Sequence, residues 1–388
     1  MSKTVGMNND TLKRRNRGLI LQLIATGTCS SRIEIARRIG LSKMSVSNVV
    51  AEYMEQGFVR EESSIAVKGV GRNPVSLRIS PDAPGMIGLY VFREECVALL
   101  CDLQLNILDE YRVTLNSENA QRLDELICYA VDQVMPKTKK VLGIGIGSIG
   151  PIDLKQKTIL APPNFFGIHD FSIAEQLQKE FDLPAFLDSQ YNCAALAEKY
   201  YGAAKLFQDF IFVGISNGIG SGIVSDGEIL RNQSGFTSEL GHMSIDWRGN
   251  LCSCGNRGCL ETYAGTRVME QKLRQATGKA LCFREFCELA EDAENDVIHE
   301  IFVQMADALS CALINVVNLL NPQTIIIGHE GDYLPEYYLK HIETYLNRNK
   351  LVQDAGYIRV MKSAFGASTQ VIGSACSLLA HVFQGDFI

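Results

Sequence analysis

One histidine and three cysteines crowd a single short stretch, GHMSIDWRGNLCSCGNRGCLE, which runs from Gly241 to Glu261. They are His242, Cys252, Cys254 and Cys259. Three thiolates and one imidazole make a closed tetrahedral zinc site of the Cys3His kind. Four protein ligands leave no open coordination position, so the zinc expected here is structural rather than catalytic. Gly249, Gly255 and Gly258 let the backbone double back, so that neighbours in sequence become neighbours round one ion. Taken singly, the cysteines would be small buried hydrophobes. A polar, glycine-rich segment is a poor place to bury three free thiols.

The rest of the chain must hold that segment in place. At 388 residues it exceeds one ordinary domain. No apolar run reaches the ~18 residues of a membrane span, and the N-terminus has no apolar signal core. The expectation is a cytoplasmic protein with no membrane partner. Twelve cysteines spread over so long a chain, with three clustered, fit reduced thiols and one metal site. The net charge of −7 is unevenly distributed. Residues 1–80 hold 13 Lys+Arg against 6 Asp+Glu, and the remainder 24 against 38. A basic head on an acidic body points to an acidic partner for the head, such as nucleic acid.

In the head, residues 8–25 read as a helix whose basic run precedes an apolar one. Ser31 and Glu34 are spaced as a capping box for a second helix, which Gly40 ends. Ser42 caps a third, to about Gln56, with Val46, Val49, Val50 and Tyr53 as its buried stripe. Its polar N-terminal face offers Lys43, Ser45, Ser47 and Asn48. Such a pair of helices suits a helix-turn-helix, whose second helix enters the major groove. A plain three-helix bundle shares that pattern. The alternating segments 58–60 and 75–79, flanking a basic glycine-rich tip with Arg72, argue instead for a winged helix-turn-helix over 1–82. The body, 83–388, alternates strands and helices and is α/β. Ser172 and Glu175 are spaced as another capping box before a helix over 173–181.

The spacing of His242 and the cysteines resembles the signature of the ROK family (repressors, open reading frames and sugar kinases). SRIEIARRIGLSKMSVSNVVAEYMEQGFV also resembles the DNA-binding head of ROK repressors. The resemblance covers nearly the whole chain. It implies a two-lobed actin-like, ribonuclease H-like sugar-kinase body with a ligand cleft. It also implies sugar-binding roles for Asn164 in Pro163-Asn164, for Glu239 before Gly241-His242, for His242 and for Glu261. Ser238 departs from the family's first glycine in that motif.

Kinases of the family carry D-I-G-G-T after the first strand; here the place reads Tyr90-Val91-Phe92-Arg93-Glu94. Backbone amides approach phosphates closely only where side chains are absent. Kinases carry N-D-A-N before an Ala-rich helix; here Ser189-Gln190-Tyr191-Asn192 puts Gln190 where the aspartate base stands. Glutamine can bind a hydroxyl but cannot take its proton, and losing a general base costs ~10²–10⁴ in rate. Asp188 is two residues away from the matched position. The second glycine loop, Asn217 to Gly222, survives, though a tight turn explains it equally well. Gly328 keeps half of the adenosine-side glycine pair and His329 replaces the other.

The expectation is therefore a sugar-responsive DNA-binding regulator, a repressor, and not an enzyme. Its body would bind a sugar or sugar phosphate through Asn164, Gln190, Glu239, His242 and Glu261. The partners expected are a double-stranded DNA operator, that effector, and a second copy in a homodimer or homotetramer. The alternatives are a working ATP-dependent sugar kinase with an attached head, and a zinc-bound scaffold that senses a protein.

Overall fold

The computed structural model describes residues 9–63, 75–137, 139–231, 237–291, 296–354 and 356–387. Arg72 and the expected hairpin tip lie outside the described residues. The chain forms two compact units. One comprises 1–149, 156–188 and 374–388, the other 150–155 and 189–373.

The first unit opens with three helices, α1 (Asn9–Ala25), α2 (Arg32–Ile39) and α3 (Lys43–Glu55). The Ser31 side chain accepts from the Glu34 amide, and Glu34 in return accepts from the amide of Ser30, one residue earlier than a strict capping box. Gly40, in the left-handed region at φ +69°, turns the chain towards α3. There Ser42 accepts from the Ser45 amide at 3.0 Å. Strands β1 (Val59–Ser63) and β2 (Val75–Ile79) pair antiparallel, Val59 opposite Ile79. Ile20, Leu21, Ile35, Val46, Val50, Tyr53 and Leu77 form the buried centre. Each such side chain contributes about 1.5–3 kcal/mol by burial. Val49, expected in that stripe, is only half-buried, since the stripe is narrower than four positions.

The body continues with β3 (Gly85–Val91), β4 (Glu95–Cys101), β5 (Ile107–Thr114), α4 (Leu123–Val134), β6 (Val141–Ser148), β7 (Ile152–Asp153) and β8 (Thr158–Ile159). Then come α5 (Ile173–Phe181), β9 (Ala185–Ser189), α6 (Gln190–Tyr200), β10 (Phe210–Ile215), β11 (Ile219–Ser225) and β12 (Glu228–Ile229). The helices α7 (Glu261–Ala264), α8 (Thr266–Thr277), α9 (Phe283–Glu291) and α10 (Asp296–Leu320) follow. The chain ends with β13 (Thr324–His329), α11 (Glu336–Asn349), β14 (Arg359–Lys362), α12 (Thr369–Gly373) and α13 (Cys376–Phe383).

In the first unit a five-stranded sheet runs β5-β4-β3-β6-β9. All seven residues of β3 are buried, as expected of a strand covered on both faces. Helix α4 packs on β4 and β5, and α13 on β6. Helix α1 meets the segment after α13 backbone to backbone. A Cβ at Gly18 would stand 2.3 Å from the Phe383 carbonyl oxygen, and one at Gly385 2.0 Å from that of Arg14. Ser172 does not cap α5 as its spacing suggested; its hydroxyl faces that of Thr158 at 3.3 Å instead. Its backbone, at φ −77° and ψ 62°, is not in the extended conformation of a capping residue.

In the second unit the sheet runs β12-β11-β10-β13-β14, with β10 antiparallel to β11 and parallel to β13. Helix α10 is long and apolar enough in composition to cross a membrane. Its Phe302, Met305, Leu309 and Leu313 are buried in this unit's core, against α8 and α11, so it reads as a core helix.

Candidate functional site

The segment 241–261 folds as nested turns in the second unit. Ile245 donates to the Gly258 carbonyl and Leu260 to that of Met243, while Cys252 donates to Asn256 and Gly258 to Asn250. These bonds bring Cys259 back to His242, whose carbonyl oxygen is 3.5 Å from Cys259 Sγ. Gly258 is required: its φ is +71°, and a Cβ there would fall 1.8 Å from the Asp246 carbonyl oxygen.

The ligand atoms of His242, Cys252, Cys254 and Cys259 all lie within 4.8 Å of one another. His242 Nδ1 is 3.7 Å from Cys252 Sγ, and Cys254 Sγ is 3.7 Å from Cys259 Sγ. A tetrahedron of Zn–S bonds near 2.3 Å has edges of about 3.8 Å, so these residues fit a metal of that size. Cys252 and Cys259 are buried and Cys254 is exposed. Burial, above all, pushes the Cys259 thiol up to about 12, and the Asn256 amide beside Cys254 lowers that thiol. A metal bound here would displace protons from the buried thiols.

Two carboxylates stand beside this cluster. Glu261, the first residue of α7, places Oε1 3.1 Å from Cys252 Sγ and 3.6 Å from His242 Nδ1. Its Oε2 would lie 3.4 Å from a Cβ at Gly218, so the carboxylate also reaches the second glycine loop. Glu239 precedes the 3-10 turn Leu240–His242 and accepts from the His242 amide through its carbonyl. It is exposed, yet desolvation by the surrounding protein raises the pKa of its carboxyl. His242 pulls the other way and Glu261 adds to the rise.

Gln190 is in the same unit, at the start of α6 and only 2% exposed. Ser189 caps that helix, accepting from Asn192 at 3.1 Å. Asn164 belongs to the first unit. It sits exposed on a loop, in the left-handed conformation at φ +56°, which asparagine tolerates better than most residues. Thus the structure gathers the four cluster residues with Glu239 and Glu261, sets Gln190 in the same unit, and sets Asn164 in the other.

The positions that depart from the kinase pattern are filled by side chains. In the first unit Tyr90 is buried and stacks on Phe92 at 5.9 Å, with the Arg93 guanidinium 5.3 Å over the Phe92 ring. In the second unit the glycines of the second loop have another use. Tyr191, where the kinase pattern has alanine, lays its ring on the β10–β11 hairpin. A Cβ at Gly220 would fall 1.9 Å from Tyr191 Cε2, and one at Gly214 2.5 Å from its Cε1. Gly214 and Gly220 are cross-strand partners. His329 has a backbone conformation open almost only to glycine, φ +59° and ψ −142°, and accepts from the Glu330 amide through Nδ1. Asp188 is buried at the end of β9, in the first unit.

On the head, Lys43, Ser45 and Asn48 are exposed at the N-terminal end of α3, and Ser47 is half-buried. Met44 joins them, 75% exposed. Sequence pattern passed over Met44, because an apolar residue beside a stripe is counted towards the core. Its placement between Lys43 and Ser45 was the available signal.

A family model described as the ROK family matches residues 86–381. The chain is 29% identical over 374 residues to the xylose repressor of Bacillus subtilis (strain 168), covering 95% of this chain and 96% of that one. Among solved structures it resembles a ROK family transcriptional regulator described as a homolog of the E. coli MLC protein. That match has a TM-score of 0.80 at 23% identity and covers 97% of this chain and 98% of that one. It also resembles the ROK hexokinase from Thermus thermophilus, with a TM-score of 0.65 at 27% identity. The hexokinase match covers 97% of that chain but 76% of this one. The regulator likeness therefore runs the length of the chain, and the kinase likeness only through a body-sized share.

Proposed function

This chain belongs to the ROK family, and from that premise we propose that it is a sugar-responsive transcriptional repressor whose kinase-like body binds a sugar without phosphorylating it. The observation that carries this reading is the amide of Gln190, buried at the capped start of α6, where a kinase needs a carboxylate base. An amide holds a hydroxyl in place but cannot accept its proton.

In this reading the head, 1–82, is a winged helix-turn-helix. Lys43 meets phosphate, Ser45, Ser47 and Asn48 read base edges, and Met44 offers a surface to a thymine methyl. Arg72 would reach the backbone or minor groove from the hairpin tip. Asn164, Gln190, Glu239, His242 and Glu261 would supply the sugar's donors and acceptors. Each buried hydroxyl left unpaired would cost about 1–3 kcal/mol.

His242, Cys252, Cys254 and Cys259 would hold one structural zinc, which when bound supplies fixed geometry rather than an acid or a base. Nδ1 of His242 faces Cys252. Its Nε2 is then the atom for a sugar hydroxyl, and Glu239 and Glu261 flank the same fixed loop. A homodimer would present two heads to a two-fold operator. A sugar that prefers one of two arrangements of the body would shift the heads' spacing and so the DNA affinity. The name of the Bacillus subtilis relative makes xylose the first sugar to try.

The test is a mobility-shift titration of the full chain against duplex DNA selected from a random pool, repeated with xylose, glucose, N-acetylglucosamine and their phosphates. A shifted complex that one of these sugars releases is the expected result. If the chain retards no duplex, the DNA reading is wrong. ATP-dependent phosphorylation of any of these sugars would establish the kinase reading instead.

A further inference from the structure

The loop that has lost its phosphate-binding glycines does something else. Within the first unit, Arg93 Nε donates to the carbonyl of Pro163 at 3.2 Å, across seventy positions of sequence. That carbonyl belongs to the peptide group joining Pro163 to Asn164. A peptide group is planar, so fixing its oxygen fixes the plane from which Asn164 departs.

The arginine is itself held. Its guanidinium lies 5.3 Å over the Phe92 ring, Phe92 stacks on the buried Tyr90, and the Phe92 amide donates to the Glu95 carbonyl at 2.9 Å. A line of contacts therefore runs from the sheet core through Tyr90 and Phe92 to Arg93 and on to Pro163.

The loop it touches is closed at its base, where Asp170 donates to Leu160 at 2.8 Å and Ile159 bridges Phe171. Beyond its tip, Phe165 is buried and Gln121 donates to the Phe166 carbonyl at 3.0 Å. Asn164 is exposed between these anchors at φ +56°. A residue in the left-handed region needs its neighbours to hold it there. The guanidinium gives the preceding carbonyl a hydrogen bond from a charged donor, at 3.2 Å.

We infer that Arg93 is a positioning residue: it braces the peptide before Asn164 and so presents the Asn164 side chain to the bound sugar. The inference rests on the sugar-binding reading above. Arg93 acts only through Asn164.

The full chain is titrated by calorimetry with xylose, glucose and N-acetylglucosamine, and the sugar giving saturable heat is used throughout. Arg93→Ala should weaken its affinity about 10-fold, while Arg93→Lys, which keeps a donor, should retain most of it. In an Asn164→Ala background, Arg93→Ala should cost little more. Zinc content and DNA affinity without sugar should stay as in the wild type. If Arg93→Ala does not fold, Arg93→Met, which keeps the stem and drops the donor, replaces it in the cycle.

An undiminished affinity in Arg93→Ala overturns the brace. So does an equal loss with and without Asn164, which would mark Arg93 as an independent contact or a merely structural one. A wild type that binds none of these sugars, nor any of their phosphates titrated in the same way, overturns the sugar reading, and this inference with it.

Discussion

His329 stands, at the scale of one residue, in a conformation that suits glycine. Its backbone lies in a region open almost only to glycine, and the half-buried residue turns its Nε2 inward, where the ring is held uncharged. Two outcomes follow. His329→Ala and His329→Gly both lose the Nδ1 bond to Glu330 and the ring's packing, but alanine keeps the strain. Unfolding in denaturant should find the glycine variant more stable than the alanine one by about 1 kcal/mol or more, the reverse of the order in a strand interior. Burial also lowers the imidazole pKa to about 4. Between the ordinary histidine range and that value, the unfolded chain binds a proton and the folded chain does not. This group's contribution to stability therefore falls as pH drops from about 6.5 to 4. His329→Gln should flatten that part of a stability-versus-pH curve; an unchanged slope would show that the ring is not held neutral.

At the scale of elements, α6 and the metal-ligand segment each make a prediction. Tyr191 and the glycines at 214 and 220 form one joint between α6 and the β10–β11 hairpin. Gly220→Ala should destabilise the chain by about 1–3 kcal/mol, as overpacking does. Tyr191→Ala costs stability by itself but should cancel much of that loss when combined with it. Additive losses in a denaturant double-mutant cycle would show that the ring is not what excludes the methyl. For the segment 241–261, metal analysis of protein purified without chelator should find about one zinc per chain, from its four ligands. Cys259→Ser should lower both the metal content and the melting temperature. A wild type with no metal, or a serine variant with full metal, would remove the zinc from the account. The spacing of His242 and the three cysteines already indicated this cluster, because turns close over short distances. Ser172 has the spacing of a cap without the backbone for one, because the conformation at φ −77° and ψ 62° is set by the fold around it and not by Glu175.

At the scale of the molecule, charge is divided between head and body, 13 Lys+Arg against 6 Asp+Glu in residues 1–80 of a chain whose net charge is −7. Binding carried by that head should weaken linearly in log affinity against log salt. Lys43→Ala should reduce the magnitude of that slope by about 1 and weaken all duplexes alike. Asn48→Ala should leave the slope unchanged and relax discrimination at one base by about 1–3 kcal/mol. Fluorescence anisotropy across a salt series measures both. A Lys43 variant with the wild-type slope would place the phosphate contacts elsewhere on the head.

Sequence alone determined whatever depends on near neighbours or repeating spacing. It marked the three head helices with the Ser31 and Ser42 caps, the α/β alternation and the crowding of His242, Cys252, Cys254 and Cys259. Those features are written in a few consecutive residues, where the geometry of helix, strand and turn leaves little choice. Only tertiary structure decided that Tyr191 occupies the face of Gly214 and Gly220, that Arg93 holds the peptide before Asn164, and that Gly18 lies against the backbone after α13. No period connects such pairs. They meet because close packing fits whole elements together, and which side chains then touch depends on the shape of the assembled unit.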